Sequence, residues 1–91
     1  MPLYRKKPVI IEARCFTGHN GAAIGDWASD HGVQCDLWPD HLDIRTLEGV
    51  MRVDPGDWVI KGVKDEFYPC KPHIFEATYE LETGSATPVR R

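Results

Sequence analysis

Cysteine and histidine side chains are the first candidates for chemistry, because thiolate and imidazole are the ligands that zinc prefers. They occur in three close pairs, namely Cys15 with His19, His31 with Cys35, and Cys70 with His73. The chain has no CxxC pair, and Cys15 lies in an apolar segment where cysteine usually behaves as a small hydrophobic residue. We therefore expect no metal site.

Catalytic groups are the next candidates. A nucleophile needs a neighbouring base, yet the sequence has no G-x-S-x-G motif, and no motif supports a pairing of Cys70 with His73. The aspartates cluster near predicted turns, where this residue hydrogen-bonds to the backbone, so turn formation is favoured over acid–base catalysis. A P-loop and a dinucleotide fingerprint are both absent. We expect no cofactor and favour a non-catalytic protein, with an enzyme left open.

Length and composition limit the architecture and the location. A chain of 91 residues allows one domain, which we place at residues 1–82, with a flexible tail at residues 83–91. No apolar run is long enough to cross a bilayer, no secretory signal is evident, and three cysteines make an odd number. These features predict a cytoplasmic protein without membrane contact. The net charge of −3 argues against general nucleic-acid binding.

The first half of the chain predicts one strand, one helix and a short second strand. Residues 4–16 end in alternating apolar positions, which is typical of a strand. Asn20 can cap a helix that Gly32 ends. The helix presents one apolar face, made of Ile24, Trp27, Ala28 and His31. Residues 33–38 are a candidate for the second strand.

The second half predicts an antiparallel meander across residues 42–70, because three turn signals separate its strands. The middle one, Asp54-Pro55-Gly56-Asp57, is typical of a type II turn. Residues 75–82 alternate with period two and predict a final strand after one helical turn. The predicted fold class is α+β: an antiparallel meander of about five to six strands packed against one α-helix. Partial closure into a small barrel is an alternative.

Turn positions fix a predicted register across this meander. Two-residue loops at Glu48-Gly49 and Lys64-Asp65, together with pairing across the type II turn, give one face the composition of a core. That face carries Ile44, Thr46, Met51, Val53, Trp58, Ile60 and Phe67. On the other face the same register places Arg45 opposite Arg52, and Lys61 beside Tyr68.

Those four residues, Arg45, Arg52, Lys61 and Tyr68, are the predicted binding site. Like charges directly opposite each other destabilise a strand pair, so an anion or an acidic partner would relieve the two arginines. The alternative is that the first strand or the helix covers this face and a carboxylate such as Glu12 neutralises them.

Most of the chain resembles a family of small uncharacterised proteins found in tailed phages and prophages. The resemblance is carried by residues 46–64 (TLEGVMRVDPGDWVIKGVK), 66–72 (EFYPCKP) and 74–80 (IFEATYE), with residues 7–13 fitting as well. Residues 18–40 and the tail lie outside it. Asp65 stands where glycine is usual and His73 where aspartate is usual. The family brings no catalytic residues.

The resemblance implies a phage-encoded accessory protein, expressed in the host cytoplasm. We expect a binding module that acts on a host protein or a small anionic ligand, and a homo-oligomer is an open alternative. A minor virion or assembly component is a second reading. A third is an enzyme whose site forms only in an oligomer.

Overall fold

The computed structural model describes residues 2–4 and 9–81. In chain order its elements are β1 (Glu12–Cys15), α1 (Gly21–Asp30), β2 (Cys35–Leu37), β3 (Leu42–Thr46), β4 (Gly49–Val53), β5 (Trp58–Lys61), β6 (Phe67–Cys70) and α2 (Pro72–Thr78). The predicted α+β class and antiparallel pairing are confirmed. The described residues contain two helices, not the single one predicted, and their strands do not close into a barrel. The predicted tail at residues 83–91 lies outside the described residues.

The six strands form two separate antiparallel sheets, where the sequence predicted one continuous meander. Sheet A has the strand order β1-β5-β6, and sheet B has the order β2-β3-β4. The strand predicted over residues 4–16 is confirmed only at its C-terminal end, as β1. In that predicted strand, residues 5–8 lie outside the described part of the chain.

Helix α1 follows the sequence prediction closely. Ile24, Trp27 and Ala28 are buried on its apolar face, and Gly32 ends the helix at a positive φ of 80°. Asn20 precedes the helix, but its side chain does not cap it. Instead the Asn20 Nδ2 donates a hydrogen bond to the Cys15 carbonyl at 2.9 Å, which ties the helix start to the end of β1.

One hydrophobic core joins the helix to both sheets. Trp27 of α1 meets Phe67 of β6 edge-to-face, with ring centroids 5.0 Å apart. The fully buried members are Phe16, Ile24, Ala28, Leu42, Ile44, Val53, Val59 and Phe67. Burial of apolar surface from α1, sheet A and sheet B in the same cluster is what holds the two sheets together.

The Asp54–Asp57 turn connects the two sheets. The Asp57 N–H donates to the Asp54 carbonyl at 2.9 Å and Gly56 has φ 97°, as expected of a type II turn. The predicted pairing of β4 with β5 across this turn is wrong. Type II turns splay the strands that flank them, and Phe16 hydrogen-bonds to Gly56 and Asp57, so β5 pairs with β1.

The β3–β4 hairpin has its loop at Leu47-Glu48, one residue before the predicted position, which shifts the pairing by two residues. Thr46 is opposite Gly49, and its Oγ1 accepts the Glu48 N–H at 3.0 Å and donates to the Gly49 carbonyl at 2.7 Å. Arg52 is now opposite Asp43, and Arg45 is opposite Val50. The predicted Arg45–Arg52 pair is therefore wrong, and the observed register replaces a like-charge pair by an opposite-charge pair.

The β5–β6 hairpin has a three-residue loop, not the predicted two-residue loop. Asp65 closes it with φ 62°, and Gly62 donates its N–H to the Glu66 carbonyl at 2.8 Å. The pairing shifts by one residue, so Lys61 is opposite Phe67 and Tyr68 is opposite Ile60. Because a shift of one residue exchanges the two faces, Lys61 and Tyr68 lie on opposite faces of sheet A.

The strand predicted over residues 75–82 is wrong, because α2 occupies residues 72–78. Pro72 at the first helical turn favours a helix start. Phe75 and Tyr79, four residues apart, meet with ring centroids 5.2 Å apart, and Phe75 stacks on Trp58 of sheet A at 4.1 Å. This aromatic packing outweighs the period-two pattern, and the last apolar member of that pattern, Leu81, is exposed. None of the described helices is long and apolar enough to span a membrane.

Candidate functional site

Strand β4 is the exposed outer strand of sheet B. Among the residues that the structure describes, it pairs with β3 alone, on one side. Val50 is 56% exposed and Met51 is 40% exposed, and Arg52 is exposed beside them. We call Val50, Met51 and Arg52 the β4 edge. Unpaired strands that also expose apolar side chains are sites where another chain can pair.

The hydrogen-bonding direction along the β4 edge follows from β3. Arg45 donates its N–H to the Gln34 carbonyl at 3.1 Å, so its backbone groups point towards β2. Residues of an antiparallel strand point both backbone groups to the same side, and the side alternates along the strand. Val50, opposite Arg45, and Arg52, two residues further on, therefore direct their N–H and C=O groups outward.

A cleft of about 400 Å³ lies beside the β4 edge, between the β3–β4 hairpin and β6. Its walls are mainly apolar and include Leu47, Met51, Phe67, Tyr68 and Pro69. Leu47, at the hairpin tip, is 87% exposed. The cleft can accept an apolar side chain of a strand added to β4, because side chains of such a strand alternate between the two sheet faces.

The four predicted site residues do not share one surface. Arg45 and Arg52 lie on the outer face of sheet B, and Tyr68 lines the cleft. Lys61 is separate, because it packs on the opposite face of sheet A with its Nζ 3.4 Å from the Asp65 Oδ1. Whether these residues bind a partner remains a prediction.

Arg52 is already surrounded by carboxylates. Its Nε lies 2.6 Å from the Asp54 Oδ1, its Nη2 lies 3.7 Å from the Asp40 Oδ2, and Asp43 is the residue opposite. The hydrogen bond to Asp54 raises the pKa of Arg52, and the same bond lowers the pKa of Asp54. Arg45, by contrast, is exposed and forms no ion pair within residues 2–4 and 9–81. Arg45 is therefore the arginine available to an incoming carboxylate.

Asp57 and Lys71 stabilise the junction between the sheets. Asp57 is buried, and its Oδ2 accepts the Asp54 N–H at 2.9 Å and lies 3.0 Å from the Lys71 Nζ. Both partners are residues adjoining strands of the two sheets. These contacts satisfy the buried carboxylate, and Asp57 is thus explained as a structural residue.

The three thiols are poorly placed for chemistry. Burial, followed by the charge of Asp36, raises the pKa of the Cys35 thiol to about 11. Cys15 and Cys70 each lie opposite Trp58, so two strand spacings, roughly 10 Å, separate their Cα atoms. A disulfide spans about 7 Å at most. No three metal-binding side chains come together within the described part of the chain.

No protein-family model matches this chain, and neither a search of curated proteins nor one of solved structures found a match.

Sequence reasoning missed the β4 edge, because it assigned β5 as the second partner of β4. The exposed Leu47, Val50 and Met51 were the available signal. They form an apolar sequence around a turn, but sequence alone does not separate an exposed apolar strand from a buried one.

Proposed function

We propose that this chain is a non-catalytic binding module of a tailed phage or prophage, which captures an extended segment of a host protein by adding it as a strand to the β4 edge. The phage or prophage origin rests on the motif resemblance in residues 46–80. The mode of binding rests on one observation, the outward N–H and C=O groups of Val50 and Arg52. Such strand addition is a recurring mode of peptide recognition.

A protein segment fits this surface better than a small anion does. Arg52 is neutralised by neighbouring carboxylates, so the two arginines do not form an anion-binding pair. The cleft beside Met51 and Phe67 is mainly apolar and suits a hydrophobic anchor. Arg45 lies opposite the smaller Val50 and can extend over it towards an acidic side chain of the captured segment.

The test is partner capture from a host lysate by variants at position 50. Val50→Pro removes an N–H that β3 does not use, and proline is tolerated in an outer strand when its nitrogen faces solvent. We expect this variant to fold and to lose capture. Val50→Thr keeps the N–H and serves as the matched control, which should retain capture. Equal capture by both variants would contradict strand addition at this edge.

A second variant tests the role of Arg45. Arg45→Gln should weaken capture by about tenfold, equivalent to ~1.4 kcal/mol, and should leave the thermal midpoint unchanged, since Arg45 is exposed. Lys64→Gln, which removes one positive charge from the β5–β6 loop, is the matched control. Association of the protein with purified virions, in place of a host partner, would favour the assembly-component reading.

A further inference from the structure

A groove lies between α2 and the segment that precedes β1, on the face of sheet A that points away from α1 and sheet B. It has a volume of about 540 Å³, which is within the range of small ligand pockets. Its floor is formed by Ala13 and Trp58 of sheet A together with Phe75 and Tyr79. We call this surface the α2 groove.

The floor of the α2 groove is a preformed aromatic surface. Trp58 and Phe75 stack nearly parallel, with an angle of 7° between the rings. Tyr79 follows at 5.2 Å from Phe75. Around this floor the apolar side chains of Val9, Ile10 and Leu81 remain largely exposed; Ile10, for example, is 72% exposed. Contiguous exposed apolar surface of this kind marks an interaction site.

The charge at the groove has one sign. Glu76 and Glu80 line it, and its described lining contains no lysine, arginine or histidine. Glu76 also lies in the last turn of α2 and Glu80 directly follows the C-cap Tyr79, where the helix dipole disfavours negative charge. A cation bound there offsets both the mutual repulsion and the unfavourable dipole interaction.

We propose that the α2 groove is a docking surface for a short segment of another protein that combines apolar side chains with lysine or arginine. The apolar side chains would cover Trp58 and Tyr79, and the cations would pair with Glu76 and Glu80. The acidic lining disfavours a second copy docked groove to groove, because that would bring four carboxylates together. It equally disfavours an anionic membrane surface. This surface is separate from the β4 edge and does not depend on the function proposed above.

The probe is a short synthetic peptide of alternating leucine and lysine residues, and the readout is the NMR signal of the Trp58 indole N–H, compared with those of Trp27 and Trp38. We expect the Trp58 signal to shift on titration, and we expect no binding of the peptide in which each lysine is replaced by glutamate. A shift that is equal for both peptides, or that spares Trp58, would overturn the proposal.

The paired variants are Glu76→Gln/Glu80→Gln and the matched control Asp36→Asn/Glu48→Gln, which removes the same charge from exposed positions of sheet B. The first should weaken lysine-peptide binding by about tenfold, or ~1.4 kcal/mol, while the control binds as the unmodified chain does. Both variants should remain folded. Equal affinities of the two variants for the lysine peptide would overturn the proposal.

A third variant tests whether a basic segment of the same chain occupies the groove. Arg5, Lys6 and Lys7 precede the groove in sequence and carry the required charge. Their replacement by serine should leave peptide affinity unchanged. Binding that occurs only in this variant would assign the groove to the chain's own basic cluster and overturn an external partner. Val50→Pro should not alter peptide binding, so failure here is distinguishable from failure at the β4 edge.

Discussion

Sheet A and sheet B contain the same number of strands but are covered differently. In sheet A, the central strand β5 has partners on both sides, and its adjacent residues Val59 and Ile60 are both fully buried although they point to opposite faces. In sheet B, the outer strand β4 has four consecutive exposed residues at positions 49–52, whereas no residue of β6, an outer strand of sheet A, is exposed. Sheet A is thus a packed support, and sheet B presents an edge that is available for pairing.

This difference explains how so small a chain can expose apolar side chains and still fold. Helix α2 covers one face of sheet A through Phe75. Helix α1 and sheet B cover the other face, where Trp27 packs against Phe67 of β6. Burial is concentrated there, so Leu47, Val50 and Met51 contribute little to stability. Side chains that are not needed for folding can serve binding.

The largest effect that this comparison predicts is on stability at position 67. Phe67→Ala should lower the free energy of unfolding by about 3–5 kcal/mol, because it leaves a cavity beside Trp27. Met51→Ala, in the exposed strand of sheet B, should lower it by less than about 1 kcal/mol. Urea denaturation followed by circular dichroism measures both values. Similar losses for the two variants would show that β4 is packed as tightly as sheet A.

A smaller effect is expected at the two carboxylates that contact Arg52, and it depends on pH. The hydrogen bond from Arg52 lowers the pKa of Asp54, and the hydrogen bond with His41 lowers the pKa of Asp40. Because these pKa values are lower in the folded chain than in the unfolded chain, the stabilisation is present above about pH 4 and is lost as the pH falls further.

Thermal midpoints recorded across acidic pH test this expectation. Asp54→Asn should lower the midpoint at neutral pH, and the difference from the unmodified chain should shrink below about pH 4. Asp26→Asn, on the exposed face of α1, is the control and should show no such change. A difference that stays constant with pH would show that the Arg52–Asp54 pair does not cause the loss of stability.

The smallest effect concerns the loop that sets the sheet A register. Asp65 has φ 62°, which glycine adopts more easily. Its contacts to His31 and Lys61 are 3.4 Å long and involve an Asp65 carboxylate that is itself exposed, so they offset little. Asp65→Gly should therefore stabilise the chain by about 0.5 kcal/mol, measured by urea denaturation. Asp65→Asn is the control for the lost charge, and stabilisation of both variants to the same degree would point to charge, not to backbone conformation.

Some of the fold could be predicted from sequence because local chemistry determines it. Helix α1 depends on the spacing of Ile24, Trp27 and Ala28 and on Gly32, and all four have the predicted roles. The Asp54–Asp57 turn depends on Pro55 and Gly56, whose backbone preferences are intrinsic. These features need no knowledge of distant contacts.

The rest depended on contacts that sequence does not display. The loop of Val63, Lys64 and Asp65 is one residue longer than predicted, and this difference exchanged the faces of β6. The pairing of β5 with β1 is set by Phe16, far away in sequence. Helix α2 depends on the stacking of Phe75 on Trp58, which only the tertiary fold provides.

For the candidate site, the sequence indicated the β3–β4 hairpin because it predicted Arg45 opposite Arg52, and this pairing does not occur. Arg45 and Arg52 do lie on one exposed face, but they are not opposite each other and Arg52 is neutralised. Lys61 belongs to another surface. The edge itself could not be predicted, because an unpaired strand is defined by the absence of a neighbour.

Amide hydrogen exchange along β4, followed residue by residue by NMR, reports directly whether β4 is an unpaired edge. If β4 is an unpaired edge in the observed register, the N–H groups of Val50 and Arg52 face solvent and should exchange rapidly. Those of Met51 and Val53 donate to β3 and should be protected. Protection of all four amides would contradict the account, because it would mean that a second strand already occupies the β4 edge.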